Sequence, residues 1–318
     1  MLRPGVASEV TALAFDGATL AVGGARGGVA VYDATNGFAG GLLGGEGGSG
    51  SGSGGSGNGA PSCRVVALSL PEPSAHGGAV VVSVSADGLV RTHGLLHPSG
   101  DASFYAGGAV SSAAFDGRYT ALGMADGRLV LLAGGLGHDT SPSYAFSSDG
   151  RAGGAAGGVA ATAPPRRLLS FAAHAGGVTA VQLVRHEGGD AGGGSLITGG
   201  GDGIVRVFPL GADCTAPPFS AASSSSSSSP SSRNDAKSGG LSVRGGFSAH
   251  EGAVTCLYAD ASKLVTGGCD GAVRVWGVDG APRFTLSGYT AYLDDLQVDG
   301  ATLVATGTNN LVIAMNFG

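Results

Sequence analysis

His250 with Asp270, Asp294 with Asp295, and His93 with His97 are the pairs in this sequence whose types could do chemistry. A histidine beside a carboxylate is the raw material of general acid–base catalysis, and paired carboxylates can divide the acid and base roles. Two histidines four apart on a helix would turn both rings toward one metal ion. The local setting counts against the last two pairs. Asp294 and Asp295 lie in an alternating run, where adjacent side chains point to opposite faces. His93 and His97 pass from a strand into a loop containing Pro98, so no helical face unites them. Glycine-rich stretches such as GGARGG (23–28) have the composition of a phosphate loop, but neither Gly-Lys-Ser/Thr nor a helix follows. GxSxG and HExxH do not occur. The four cysteines, Cys63, Cys214, Cys256 and Cys269, have no CxxC spacing; Cys256 and Cys269 read as buried free thiols on neighbouring strands. The expectation is a chain with no catalytic residue, no metal and no cofactor.

Composition narrows the class. The chain has 318 residues, 63 of them glycine, yet 42% are hydrophobic and gather in short Val/Ala/Leu runs. That combination predicts folded segments joined by low-complexity loops. No apolar run approaches the roughly 18–20 residues of a membrane span, and MLRPGVASEV lacks a secretion pattern. A net charge of −6, with Arg166–Arg167 the only adjacent basic pair, argues against a nucleic-acid partner. Neither nucleic acid nor membrane is expected as a partner, and the cytoplasm or nucleus is the expected compartment.

The elements come from a repeat. KLVTGGCDGAVRVW (263–276) is a strand, a tight turn and a strand, with Asp270 and Trp276 six apart. The same spacing recurs in LITGGGDGIVRVF (Asp202, Phe208), VVSVSADGLVRTH (Asp87, His93) and TALGMADGRLVLL (Asp126, Leu132). LAVGGARGGVAVY (Arg26, Tyr32) and LVATGTNNLVIAM (Asn309, Met315) complete six copies. Upstream of each lies an alternating run beginning at Val10, Val65, Val110, Val178, Val254 or Leu293. Before that comes a weaker run, clearest as RFTLSG (283–288) and RRLLSFAAH (166–174). Each unit therefore holds four short antiparallel strands, which cannot bury both faces alone and must stack on copies of themselves.

The chain resembles the WD-repeat β-propeller family, whose blades are four-stranded sheets. SAHEGAVTCLYADASKLVTGGCDGAVRVW (248–276) follows the family pattern, with Ala-His in place of Gly-His. The resemblance implies an all-β propeller of four-stranded antiparallel blades and a structural tetrad at His250, Thr266, Asp270 and Trp276. In the preceding unit His174, Thr198 and Asp202 match, and Phe208 replaces the Trp. The second unit keeps Ser83 and Asp87, and the third keeps Asp126. The tetrad's purpose is structural: a buried Asp in a tight turn needs donors, and His, Thr and Trp supply them. On this reading His250 and Asp270 brace a turn, and the fifth blade is the best ordered.

The whole chain, 1–318, reads as one propeller domain. Its repeats fall near 1–36, 61–97, 103–136, 166–211, 243–280 and 281–318, with low-complexity insertions at 40–59, 137–165 and 212–240. The sixth repeat ends at its third strand, so a closing strand must come from the N-terminus, where three residues remain for it. Either six blades close with a stub, or this is a seven-bladed ring shortened at its N-terminus; the second is favoured. The resemblance implies a non-catalytic scaffold binding other proteins within a larger assembly. Alternatives are the substrate-recognition part of an F-box-type ubiquitin ligase whose N-terminal domain is absent, and a ligand-binding or enzymatic propeller using its central channel. The expected partner-binding residues are Tyr289, Tyr292, Asp294, Asp295 and Arg26, because Tyr and Arg are common hot-spot residues and most other loop positions are small.

Overall fold

Alternation at period two, broken by turns rich in Asp and Gly, leaves strands as the only regular structure available. The computed structural model describes residues 9–37, 39–43, 63–71, 80–95, 102–116, 119–133, 166–185, 194–210, 245–288, 292–307 and 311–316. Among them it forms 23 strands in six antiparallel sheets.

Sheet one joins β1 (Val10–Phe15), β2 (Thr19–Gly24), β3 (Val29–Asp33) and β4 (Ala39–Leu42) in that order. Sheet two follows with β5 (Val65–Ser69), β6 (Val80–Ser85), β7 (Leu89–Gly94) and β8 (Ala102–Tyr105). Sheet three holds β9 (Val110–Phe115), β10 (Tyr119–Met124), β11 (Arg128–Ala133) and β12 (Arg166–Ala172). Sheet four comprises β13 (Val178–Arg185), β14 (Gly194–Gly200), β15 (Ile204–Leu210) and β16 (Gly245–Ser248). Sheet five has β17 (Val254–Ala259), β18 (Lys263–Gly268), β19 (Val273–Gly277) and β20 (Pro282–Leu286). Sheet six shows three strands among the described residues: β21 (Leu293–Asp299), β22 (Thr302–Gly307) and β23 (Leu311–Asn316).

The chain divides into two compact units, Met1–Val110 with Gly117–Thr120 and Leu131–Arg167, and Ser111–Asp116 with Ala121–Val130 and Leu168–Gly318. Sheets one and two lie in the first; sheets four to six lie in the second.

Two details differ from the sequence pattern. The sequence repeat and the sheet are offset by one strand. RRLLSFA, which opens the fourth sequence repeat, pairs with β11 as the last strand of sheet three, and β20 likewise finishes sheet five. The span 40–59 also begins inside β4, whose Gly40 and Gly41 pair with Tyr32 and Val31. A glycine pair carries no apolar alternation, so nothing in side-chain pattern marked that strand. The rest of the insertions, and residues 1–8 invoked for a closing strand, lie outside the described residues.

A common device opens the first strand of five sheets. The pairing of β1, β5, β13, β17 and β21 slips between the first and third residues, at Val10/Ala12, Val65/Ala67, Val178/Ala180, Val254/Cys256 and Leu293/Asp295. Each slip is a β-bulge, which re-aims the second residue. In sheets one and four that residue carries a hydroxyl that reaches the next sheet, Thr11 Oγ1 donating to Val65 O (2.7 Å) and Thr179 Oγ1 to Val254 O, and in sheet three Ser111 Oγ donates likewise to Val178 O (2.5 Å). Close approach is permitted by glycine. A Cβ on Gly23, Gly123 or Gly199 would stand 2.6–2.7 Å from a methyl of Val65, Val178 or Val254. Those valines are fully buried, and they seed the apolar layers between sheets one and two and between sheets four and five. Gln182 adds a two-point contact, Nε2 donating to Ala259 O (3.1 Å) and Oε1 accepting from Ala259 N (2.6 Å).

Candidate functional site

The Asp-Gly turns decide what the candidate chemical residues do. In sheet five Asp270 caps its own turn, Oδ1 accepting from Ala272 N at 3.2 Å, and Gly271 takes φ +68°, which suits only a residue without Cβ. His250, just before β17, places Nδ1 2.9 Å from Asp270 Oδ1 and Nε2 2.9 Å from Thr266 Oγ1. Trp276 Nε1 donates to the same Thr266 oxygen at 3.0 Å. With the proton on Nδ1, the indole N–H donates to Thr266, the Thr266 hydroxyl donates to His250 Nε2, and His250 Nδ1–H donates to the carboxylate. Arg274 Nη1 closes the network at 2.7 Å from Asp270 Oδ2 and lies 2.5 Å from His250 Nδ1.

The electrostatics agree with that wiring. Burial lowers the His250 pKa; Asp270 pulls it back in part and the Arg274 charge lowers it further, so the ring stays neutral. Burial pushes the Asp270 carboxyl up, but the hydrogen bonds from Arg274 and His250 outweigh it and hold its pKa at about 2. The pair is thus a neutral imidazole and a carboxylate, each held by hydrogen bonds. A general base needs an accessible lone pair and a pKa near the working pH; this pair offers neither.

Sheet four repeats the construction with one donor fewer. His174 Nδ1 lies 2.8 Å from Asp202 Oδ1, Nε2 lies 2.8 Å from Thr198 Oγ1, and Arg206 Nη1 donates to Asp202 Oδ2 at 3.0 Å. Phe208 occupies the Trp position and packs edge-on against Phe171 at 5.1 Å. His174 is shifted down by burial, and Asp202 is shifted down because its hydrogen bonds overcome the cost of burial. Arg206 and Arg274 were not singled out in the sequence. Their signal is an Arg four residues after the turn Asp, present also as Asp87 and Arg91.

Elsewhere the tetrad thins. In sheet two Ser83 Oγ lies 3.0 Å from His93 Nε2, so the imidazole stands where the indole N–H would. Asp87 is exposed and caps its turn through Leu89 N at 3.1 Å. His97 lies outside the described residues. In sheet three Asp126 accepts from Arg128 N (3.1 Å) and Arg128 Nε (2.7 Å) at the surface, and these bonds lower its pKa. Ala106, four residues before Val110, takes the place that His174 and His250 hold before Val178 and Val254.

The expected contact residues fall in separate places. Tyr292 precedes β21 and is exposed; burial of its hydroxyl, with Cys269 and Asp294 nearby, raises its pKa. Asp294 and Asp295 follow at the start of β21, both exposed, and desolvation of the Asp295 carboxyl together with Asp294 pushes its pKa up. Arg26 is exposed in the β2–β3 turn. Tyr289 lies outside the described residues. Cys256 is buried and its thiol is pushed up to about 12 by burial, which makes it inert. Cys269 sits in the β18–β19 turn and is half-buried, because the strand ends at Gly268. Among the described residues no group of His, Cys, Asp and Glu is placed to hold a metal, and no helix is long and apolar enough to cross a membrane.

Residues 242–277 match the family model "WD domain, G-beta repeat". No curated protein matches the chain. Among solved structures, the computationally designed protein Ika8 is 19% identical, with TM-score 0.57 over 98% of this chain and 72% of that one. A chain of a mitotic checkpoint complex is 14% identical, with TM-score 0.60 over 99% of this chain and 76% of that one. At such identities the likeness is one of fold. The matched segment runs from before β16, the last strand of sheet four, to the end of β19 in sheet five, so that stretch is a WD-type repeat, and the same strand order recurs among the described residues in an all-β, six-blade propeller fold.

Proposed function

We propose that the protein is a non-catalytic interaction scaffold that holds other proteins. The observation that carries this reading is the fate of the two His–Asp pairs, the best catalytic candidates in the sequence. Both are locked as neutral ring and carboxylate inside networks that brace turns. Among the described residues no buried side-chain polar atom lacks a partner, so no polar group is held in reserve for a substrate. What stays exposed is the stuff of contact surfaces: Tyr292, Asp294, Asp295, Arg26 and Tyr105.

The test is affinity purification of the tagged chain from its own cells with mass spectrometry, beside Tyr292→Ala and Arg26→Ala variants. A reproducible partner set depleted by either substitution supports the scaffold and places the contact surface. An unchanged set in both variants removes those residues from the surface. A chain that captures nothing overturns the scaffold. Recovery of ubiquitin-ligase adaptors would favour the substrate-recognition alternative.

A further inference from the structure

An Asp-Gly or Asn-Gly pair carries a latent reaction, in which the glycine nitrogen attacks the side-chain carbonyl before it; asparagine is the more labile of the two. The turns of the repeat are guarded against it. The nitrogens of Gly88, Gly127, Gly203, Gly271 and Gly280 already donate across their turns, to the carbonyls of Ser85, Met124, Gly200, Gly268 and Gly277 at 2.9–3.1 Å. A nitrogen holding that bond cannot swing onto the side chain without opening the turn. The side chains before these glycines are carboxylates, poorer electrophiles than a carboxamide.

The β3–β4 turn is built otherwise. Asp33 opens it as a cap, its Oδ1 accepting from Thr35 N (2.8 Å), Thr35 Oγ1 (2.6 Å) and Asn36 N (3.2 Å). The nitrogen that could attack Asp33, that of Ala34, is engaged by Ala18 O at 2.6 Å. Asn36 and Gly37 follow, both exposed, and are the sole Asn-Gly pair among the described residues. Gly37 takes φ +62°, and a Cβ built on it would meet nothing within 4 Å. Its nitrogen makes no hydrogen bond among the described residues.

We propose that Asn36–Gly37 is a self-modification site, where the Asn36 amide is converted without an enzyme to aspartate and isoaspartate. Gly37 N gives its proton to hydroxide and attacks Asn36 Cγ. An N–C bond forms, the side-chain nitrogen takes a proton from water and leaves as ammonia, and a succinimide ring remains. Water then opens the ring. Breaking the new bond to Cγ leaves aspartate; breaking the original peptide bond leaves isoaspartate, with the main chain rerouted through Cβ and one atom longer. Asp16–Gly17 and Asp299–Gly300 are set apart by chemistry, since a carboxylate has no ammonia to expel.

The place in the fold gives the change its effect. β4 follows directly and pairs Ala39 with Asp33, Gly40 with Tyr32 and Gly41 with Val31. The two glycines bring no side chains to fix its register, so the turn sets it. Isoaspartate lengthens that turn and adds a carboxylate beside Asp33, which loosens β4 from β3. None of this depends on the scaffold reading.

The test stores the purified full chain at neutral pH and physiological temperature, then maps it by peptide mass spectrometry with fragment-ion localisation. Isoaspartate is scored by methyl transfer from S-adenosylmethionine with isoaspartyl methyltransferase. Asn36 should lose its amide roughly tenfold or more faster than Asn316, a barrier difference of about 1.4 kcal/mol, and the rate should rise with hydroxide. Hydrogen exchange over residues 39–43 should increase in the converted chain. It should not increase in fresh Asn36→Asp, which adds the charge without the extra backbone atom, and Asn36→Gln should show neither change. An Asn36 amide as durable as that of Asn316, or isoaspartate at Asp202 or Asp270 as fast as at residue 36, overturns the proposal. Unchanged exchange after conversion overturns its effect on β4.

Discussion

Sheets four and five share a turn Asp, a His, a Thr and an Arg in the same geometry, and differ in one ring. In sheet five Trp276 donates to Thr266; in sheet four Phe208 has no proton to give, and Thr198 makes its bond to His174 without an indole above it. Sheet three differs more: Asp126 remains, but Ala106 replaces the His and the carboxylate turns to Arg128 at the surface. The same Asp-Gly turn forms in all three. The turn therefore needs neither the His nor the indole, and sheet one makes the same bond, Gly27 N to Gly24 O at 3.0 Å, with Arg26 before the glycine; the tetrad joins the turn to the strands behind it.

Removing the carboxylate tests this most severely. Asp270→Ala leaves His250 Nδ1–H and the half-buried Arg274 guanidinium without an acceptor, which costs about 3 kcal/mol of stability. Asp202→Ala should cost nearly as much. Asp126→Ala, at the surface, should stay within about 0.5 kcal/mol of wild type. Urea unfolding of the three variants checks the order. Equal losses at Asp126 and Asp270 would mean that the turn, not the network, carries the energy.

Acid should reveal the same contrast. Burial holds the folded pKa values of His174 and His250 below the ordinary histidine value of 6.5, so the unfolded chain binds more protons as pH falls below that value, and stability is lost there. Asp270 is lowered from 3.8 to about 2, and its contribution is present above 3.8 and disappears as pH falls toward 2. Two acid steps are expected, the first with a slope of at most about 1.4 kcal/mol per pH unit per histidine. Unfolding free energies between pH 7 and 5 should flatten in a His174→Asn, His250→Asn double variant. An unaltered slope would place the acid sensitivity in other groups.

How much of this could be read in the residues varies with the kind of signal. The strands and sheets were legible because alternation and Asp-Gly turns recur at one spacing; β4 was missed because AGGL has no alternation to read. His250, Asp270, Thr266 and Trp276 were legible through a family pattern, not through their separation in sequence. Arg206 and Arg274 were overlooked because an Arg in a strand looks like a solvated face, and only the fold shows it bending back to the turn.

Exchanging the rings narrows the comparison to one hydrogen bond. Trp276→Phe removes the donor to Thr266 and part of the ring packed against Phe247 at 4.6 Å, for a loss of about 1.5 kcal/mol. Phe208→Trp should gain about 0.5 kcal/mol, because Thr198 Oγ1 stands where the indole N–H would arrive. If both substitutions cost stability, ring packing rather than the donor sets the difference between the two sheets.

The bulge hydroxyls offer the finest adjustment. Thr179→Val keeps the shape of the side chain but leaves the Val254 carbonyl without the donor it now has from sheet four, a loss of about 1 kcal/mol. Val66 is the natural form of that variant, since β5 carries the same bulge with no hydroxyl to offer. Val66→Thr is isosteric and places an O–H on the side of the bulge from which Thr11, Ser111 and Thr179 donate. It should therefore raise stability by about 0.5 kcal/mol, the low end of the range for one added hydrogen bond. A loss on Val66→Thr, measured in the same urea titration, would show that this junction is fitted to an apolar residue and that the hydroxyl clasp is specific to the sheets that carry glycine beside it.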